Sequence, residues 1–79
     1  MKQIILNEMP NGNFHLDYND LMSIVKEVQA KISTNSISQL DSQLLGIAIS
    51  RMACGEMVQD EIPLTNKLLK PLEYEVIVQ

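Results

Sequence analysis

The sequence predicts one small α+β domain over residues 1–79, with its elements in the order β-β-α-α-β. Three observations support this prediction: the length of 79 residues suits one domain, apolar residues recur at helical spacing through the middle, and short apolar segments rich in β-branched residues lie near both ends. We therefore expect a two-helix hairpin packed on a small antiparallel sheet, which an N-terminal hairpin and a C-terminal strand form together.

The first two strands are predicted from a turn signal between two apolar segments. Residues 2–7, centred on Ile4-Ile5-Leu6, have the composition of a strand. Asn11-Gly12 follows, and this pair supplies the positive backbone angles that tight hairpin turns require. Residues 14–16 then return as a brief second strand, with Phe14 and Leu16 on one side and His15 on the other.

The start of the first helix is marked by its cap residues. Asp17 is a good N-cap, and Leu16 with Leu21 matches the spacing of a hydrophobic staple. Asp20 lies in the first turn, where the helix dipole favours an anion. The apolar residues that follow share one helical face: Leu21, Ile24, Val25, Val28 and Ile32.

The second helix lies in a segment that carries very little charge. Residues 32–55 contain only two charged residues, Asp41 and Arg51. Either Ser36 with Gln39 or Ser38 with Asp41 forms a capping box, and the helix is expected to end near Gly55. Asp41 near the N-terminus and Arg51 near the C-terminus each complement the helix dipole.

A stripe of small residues runs along this second helix. Ser42, Gly46 and Ser50 recur at four-residue spacing, and Ala53 lies beside them. A glycine inside a helix costs up to about 1 kcal/mol relative to alanine, so Gly46 suggests a close backbone approach. Two interpretations stay open: another element of the same chain lies against the stripe, or two copies of this helix cross there in a homodimer. The candidate interface is Ser42, Gly46, Ser50 and Ala53.

The C-terminal third is predicted to be a loop followed by a strand. Pro63 and Pro71 exclude a long regular element, so we expect one short helical turn around Leu64 to Leu69. Residues 73–78 then alternate as a strand, with Tyr74, Val76 and Val78 on one face. The edge of this strand also offers a pairing surface to a neighbouring molecule.

Composition argues against nucleic-acid and membrane partners. The protein is acidic, with a net charge of -4, and its six basic residues are scattered, which gives no footprint for a phosphate backbone. No apolar run approaches the roughly 18 residues that a membrane span needs, and the first residues lack a signal-peptide core. One cysteine excludes an intramolecular disulfide and fits a reducing compartment, so we expect a cytoplasmic protein.

Residues suited to catalysis are few. His15 is the only histidine, and Cys54 lies on the apolar second helix, where we expect it to pack in the core. The three glycines, at positions 12, 46 and 55, stand too far apart for a phosphate-binding loop. We therefore predict no catalytic residue, no metal ligand and no cofactor.

The sequence favours a noncatalytic interaction or regulatory module that binds a second copy of itself and an unidentified protein. One alternative is a small transcription regulator that binds DNA through a helix-turn-helix-like pair, although the second helix carries a single arginine. Another is a small enzyme whose site, at a dimer interface, is built from His15, Asp17 or Arg51.

Overall fold

The structure, a computed structural model, describes residues 2–34 and 37–79. Its strands are β1 (Lys2–Glu8), β2 (Phe14–Leu16) and β3 (Tyr74–Val78), and its helices are α1 (Tyr18–Ser33), α2 (Gln39–Ala53) and α3 (Ile62–Leu69). Short 3-10 turns at Gln59–Glu61 and Lys70–Leu72 flank α3. The predicted α+β class and the order of the five predicted strands and helices are confirmed, and α3 takes the place of the short helical turn expected around Leu64 to Leu69.

The three strands form one mixed sheet in the order β2-β1-β3. β1 and β2 are antiparallel, with Leu6 opposite Leu16, and Met9 donates a backbone hydrogen bond of 2.6 Å to Asn13 across the hairpin loop. β1 and β3 are parallel, with Ile4 opposite Val76. The expectation of a fully antiparallel sheet was therefore wrong for β3. The crossover that contains all three helices returns the chain to the end of the sheet where β1 begins.

A single core lies between the sheet and the helices. The strands contribute alternate residues, so that Ile4 and Leu6 are buried while Gln3 and Ile5 face outward. The buried apolar residues of the strands and helices are Ile4, Leu6, Phe14, Leu16, Ile24, Val28, Leu45, Ala48, Ile49, Met52, Ile62, Leu68, Leu69, Tyr74 and Val76. Within the described residues, no helix combines the length and apolar character that crossing a bilayer requires.

The start of α1 agrees with the prediction in position. Asp17 is the N-cap residue with extended backbone angles, and its carbonyl accepts the first helical hydrogen bond from the Leu21 amide at 3.0 Å. The Asp17 carboxylate accepts no capping hydrogen bond. The residue type therefore marks the boundary, although the expected side-chain bond is not made.

The two ends of α2 are both stabilised by capping interactions. The Ser38 hydroxyl accepts a hydrogen bond of 3.1 Å from the Asp41 amide. The alternative cap at Ser36 lies outside the described residues. At the other end Gly55, with φ of 72°, donates to the Met52 carbonyl at 3.3 Å, and the following amide donates to the Arg51 carbonyl at 2.9 Å. This pair of bonds is a Schellman motif, and the predicted end of the helix near Gly55 is confirmed.

The segment around the two prolines is more regular than predicted. α3 has eight residues, about two turns, instead of the single turn expected within a loop. Pro63 lies in its first turn, where an intrahelical amide donor is not needed. Pro71 falls in the 3-10 turn after the helix. The two prolines thus lie near the two ends of this helix and do not prevent it from forming.

Candidate functional site

An open groove of about 460 Å³ lies between α1 and α2. Its described lining residues are Leu21, Val25, Val28, Gln29 and Ile32 from α1, and Ser42, Gly46, Ile49, Ser50 and Ala53 from α2. None of these ten residues carries a charge. The chain as a whole has ten acidic and six basic residues, and none of them is among the described residues that line this groove.

The bulky wall of the groove arises because the apolar face of α1 is wider than the core requires. Ile24 and Val28 are fully or nearly buried, whereas Val25 is half-buried and Ile32 keeps 43% of its surface exposed. Each residue advances about 100° around a helix, so Val25 and Ile32 lie on the side of α1 that faces the groove. The first helix therefore supplies branched side chains to both the core and the solvent.

The structure brings together all four predicted interface residues along this groove: Ser42, Gly46, Ser50 and Ala53. Ser42 is half-buried and the other three are exposed. α1 lies beside the stripe, as one of the two interpretations expected, but leaves it uncovered. A Cβ added at Gly46 would meet none of the described atoms within 4 Å beyond its own stretch of helix. The close approach that would explain a glycine here is not made within the described chain.

Exposed apolar side chains are also present on the side of α2 that faces α3. Ile47 and Leu40 keep 59% and 64% of their surfaces exposed, and Leu64 of α3 keeps 55%. A second cleft, of about 100 Å³, lies between α2 and α3 and includes Ile47 and Leu64 in its lining. α2 thus has an exposed apolar surface on both sides of its buried face.

Arg51 closes one end of this second cleft through a two-pronged ion pair with Glu61. Its Nε donates to Glu61 Oε2 at 2.6 Å and its Nη2 donates to Oε1 at 2.7 Å. Nη2 also donates to the backbone carbonyl of Glu56 at 3.0 Å. The hydrogen bond from Arg51 lowers the pKa of Glu61, and the same bond raises the pKa of Arg51. Arg51 lies in the last turn of α2 as predicted, and its guanidinium ties that turn to the segment before α3.

His15 lies on the opposite side of β2 from Phe14 and Leu16, as predicted. Its Nδ1 is buried and has no hydrogen-bond partner among the described residues. Across residues 2–34 and 37–79, His15 makes no hydrogen bond or ion pair with Asp17 or Arg51, and no group of three histidine, cysteine or acidic side chains is arranged to hold a metal ion. The three residues proposed for an enzyme site are thus not joined by these contacts.

The expectation that Cys54 packs in the core was wrong. Cys54 is the C-cap residue of α2 and its side chain is exposed. The helical rotation puts it on the same side as Gln43 and Ser50, away from the buried Met52. Because nearly every residue of α2 is uncharged, the sequence did not indicate which apolar residues face the sheet.

Both outer edges of the sheet carry hydrogen bonds from elsewhere in the chain. At the β2 edge, the Phe14 amide donates to the Met57 carbonyl at 2.8 Å. At the β3 edge, the Val76 amide donates to Asn66 Oδ1 at 2.6 Å, and Asn66 Nδ2 donates to the Val76 carbonyl at 3.2 Å. Each edge is therefore occupied at one position along its length.

Two parts of these surfaces were not predicted from the sequence. The α1 wall of the groove had a signal, because the apolar positions of α1 cover more of the helix than one buried stripe. Asn66 had none, since its role depends on α3 lying beside β3. Comparisons with known protein families, with curated proteins and with solved structures found no match.

Proposed function

We propose that this chain is a noncatalytic protein-interaction module that associates with a second copy of itself through the groove between α1 and α2. One observation carries the proposal: the groove is open, and its ten described lining residues are all uncharged. Contiguous apolar surface of this kind is characteristic of protein interfaces. A partner helix in the groove would also explain a glycine at position 46, where an added Cβ would meet none of the described atoms beyond its own stretch of helix.

A second copy is the partner that fits the shape of the groove. The α1 wall has branched side chains such as Val25 and Ile32, whereas the α2 wall has small ones such as Ser42, Gly46 and Ser50. In a two-fold dimer with the α2 helices crossing at Gly46, the α1 side chains of each copy flank the incoming α2 of the other. Each copy then contributes the same set of residues to the interface, as an isologous interface requires.

The helical face has the dimensions of a small interface. α1 and α2 have 16 and 15 residues, which corresponds to lengths of about 24 and 22 Å. Two helices about 10 Å apart present a projected face of roughly 450 Å², about half of the ~800 Å² that each partner of a standard interface buries. A domain of this size has a small core, so association adds substantially to its stability.

The other parts of the chain support the same choice of surface. The sheet edges offer less to a neighbour, because Met57 and Asn66 already bond to β2 and β3. The exposed thiol of Cys54 is compatible with a reducing compartment, which supports the proposal that the chain acts in the cytoplasm.

The test is sedimentation equilibrium of the wild type and of Gly46→Leu over a concentration series. We expect a wild-type dimer of twice 8.9 kDa and a monomeric variant, because leucine at the crossing point separates the two helices. Ala30→Leu is the matched control, since Ala30 is an exposed α1 residue outside the groove lining, and it should remain dimeric. A wild type that stays monomeric at high micromolar concentration, or a dimeric Gly46→Leu, would overturn the proposal.

No observation favours the DNA-binding alternative. Arg51, the single arginine, is engaged by Glu61, and the net charge is -4. A mobility-shift assay with mixed-sequence DNA at low salt is therefore expected to show no complex. A shift in this assay would restore the alternative.

A further inference from the structure

A stripe of apolar side chains runs along the side of α2 that faces α3. Leu40, Leu44 and Ile47 recur at spacings of four and three residues, which puts them on one line of the helix. Arg51 follows four residues later and ends the stripe. Leu40 and Ile47 are mostly exposed, and the exposed Leu64 of α3 lies across the cleft from Ile47. The stripe is about 16 Å long, which corresponds to three helical turns.

The floor of the cleft between α2 and α3 is apolar. Its described lining includes the buried Ala48 and Leu68, and the hydroxyl of the buried Thr65 already donates to the Glu61 carbonyl at 2.9 Å. An apolar cavity of roughly 150 Å³ holds a benzene-sized group, so the volume of about 100 Å³ suits one aliphatic side chain. A ligand therefore binds this cleft through an apolar anchor.

Both walls of the cleft are helices, and this determines the backbone form of the ligand. Along the middle of α2 and α3 the backbone amides and carbonyls bond within their own helix, so neither wall offers them to an extended chain. An extended segment would lose water from its peptide groups and gain no partner for them. A helix satisfies its own backbone hydrogen bonds, and its apolar face repeats at the same spacing as the stripe on α2.

The Arg51 end of the stripe is acidic. Glu61 binds the Arg51 guanidinium through both carboxylate oxygens, at 2.6 and 2.7 Å. The Glu56 side chain stays 64% exposed, with Oε2 3.9 Å from Arg51 Nη1, and the exposed Asp60 precedes Glu61. Three negative charges and one positive charge leave a net charge of -2 at this end. The charge there complements a cationic ligand.

We propose that the cleft between α2 and α3 binds an amphipathic helix of another protein, which carries basic residues at the end that lies beside Glu56 and Asp60. One aliphatic side chain of that helix enters the cleft, and the rest of its apolar face covers Leu40, Ile47 and Leu64. The site shares no described lining residue with the groove between α1 and α2. It therefore goes beyond self-association and does not depend on it.

The test uses three synthetic peptides of about three helical turns, each cross-linked between side chains so that it is helical in solution. The first has leucines along one face and lysines at one end. The second has glutamates in place of the lysines, and the third has serines in place of the leucines. Fluorescence anisotropy with the wild-type protein measures the affinities. We expect the first peptide to bind at least tenfold more tightly than either of the others.

Substitutions in the protein separate the apolar contribution from the charged one. Ile47→Ser should weaken binding of the lysine peptide at least tenfold. Gln43→Ser is the matched control, since Gln43 is an exposed α2 residue outside the described lining of the cleft, and it should leave binding unchanged. Glu56→Lys with Asp60→Lys should reverse the preference, so that the glutamate peptide binds more tightly than the lysine peptide. If that double variant does not fold, Glu56→Gln with Asp60→Asn should abolish the preference.

Sedimentation distinguishes a helix of another protein from a second copy of this chain. Ile47→Ser should keep the oligomeric state of the wild type, and Gly46→Leu should bind the lysine peptide as the wild type does. Failure of this proposal and failure of the groove proposal then give different results. Absence of binding by the lysine peptide at about 1 mM, or equal affinities for the lysine and glutamate peptides, would overturn the proposal. Loss of a wild-type dimer in Ile47→Ser, or loss of peptide binding in Gly46→Leu, would also overturn it.

Discussion

The two glycines of the α2 region have different physical roles. Gly55 has φ of 72°, in the left-handed region that side chains disfavour, and this angle closes the helix end. Gly46 is helical, and no described atom beyond its own stretch of helix lies within 4 Å of a Cβ added there. Gly55 is required by the fold of the monomer, whereas the fold of the monomer does not require a glycine at position 46.

Replacing Gly46 by alanine should therefore separate folding from association. In dilute solution, where the chain is monomeric, we expect the free energy of unfolding to rise by up to about 1 kcal/mol, because alanine has the higher helix propensity. The dimer dissociation constant should rise as well, because the added methyl group lies at the crossing point. Urea unfolding and sedimentation measure the two quantities. An unchanged dissociation constant would contradict a close approach at Gly46.

Replacing Gly55 by alanine should destabilise the protein by about 1 kcal/mol, because alanine must then adopt the left-handed conformation. The added Cβ would lie 3.5 Å from the Cβ of His15, an ordinary contact that adds little to this cost. Urea unfolding at one protein concentration is the measurement.

Glu73→Gly is the converse case, since Glu73 is a non-glycine residue at φ of 63°, and it should be neutral or slightly stabilising.

At the scale of the elements, the pair formed by Arg51 and Glu61 links α2 to α3. Hydrogen bonding to Arg51 lowers the pKa of Glu61 in the folded chain. The pair therefore stabilises the fold fully at pH values above the unfolded-state pKa of Glu61. This contribution is lost as the pH falls through the lower, folded-state pKa.

The Glu61→Gln variant should melt at a lower temperature than the wild type near neutral pH. The difference should shrink as the pH falls through the lowered folded-state pKa of Glu61, because the wild-type carboxylate then becomes protonated as well. Thermal unfolding of both proteins at a series of pH values measures this difference in melting temperature. Glu56→Gln is the control, because Glu56 is exposed and its Oε2 lies 3.9 Å from Arg51 Nη1, so it should have a smaller effect. Equal effects of the two substitutions would contradict this role for Glu61.

Local signals in the sequence predicted the elements better than their arrangement. Ser38, one of the two predicted caps, and Gly55 mark the ends of α2 through bonds that they make within a few residues, so local residue types indicated where the helix starts and ends. The direction of β3 depends on how the whole crossover returns, which no local pattern encodes. Cys54 was misassigned for a related reason, since α2 has apolar residues on both its buried and its exposed sides.

The sequence likewise predicted only part of the candidate groove. The four small residues of α2 were identified from their spacing, and the structure puts all four on one groove. The opposite wall was not predicted. The wide apolar face of α1 indicated that some of its apolar side chains stay outside the core, but the packing angle between α1 and α2 decides which of them face the groove. Whether a second copy covers the groove is a property of two chains and stays a prediction.

At the scale of the whole molecule, a disulfide cross-link tests the dimer geometry. In a Cys54→Ser background, Gly46→Cys puts one thiol per chain at the proposed crossing point, where the two Cα atoms must approach within about 7 Å to be bridged. We expect covalent dimers under mild oxidation. Ala30→Cys in the same background is equally a surface cysteine on a helix, and it should cross-link much more slowly. Equal rates for the two variants would contradict the crossing at Gly46.

The parallel pairing of β1 and β3 has a consequence for how the chain folds. Lys2 and Tyr74 are partners in the sheet although they lie 72 positions apart in the sequence. Closing so long a loop is entropically expensive, and contacts of this kind slow folding. During synthesis β1 emerges first, and one of its two edges has no strand to bond to until all three helices have been made. Folding of the central strand is therefore completed late, and a chain that stops before Tyr74 would leave that edge open to other molecules.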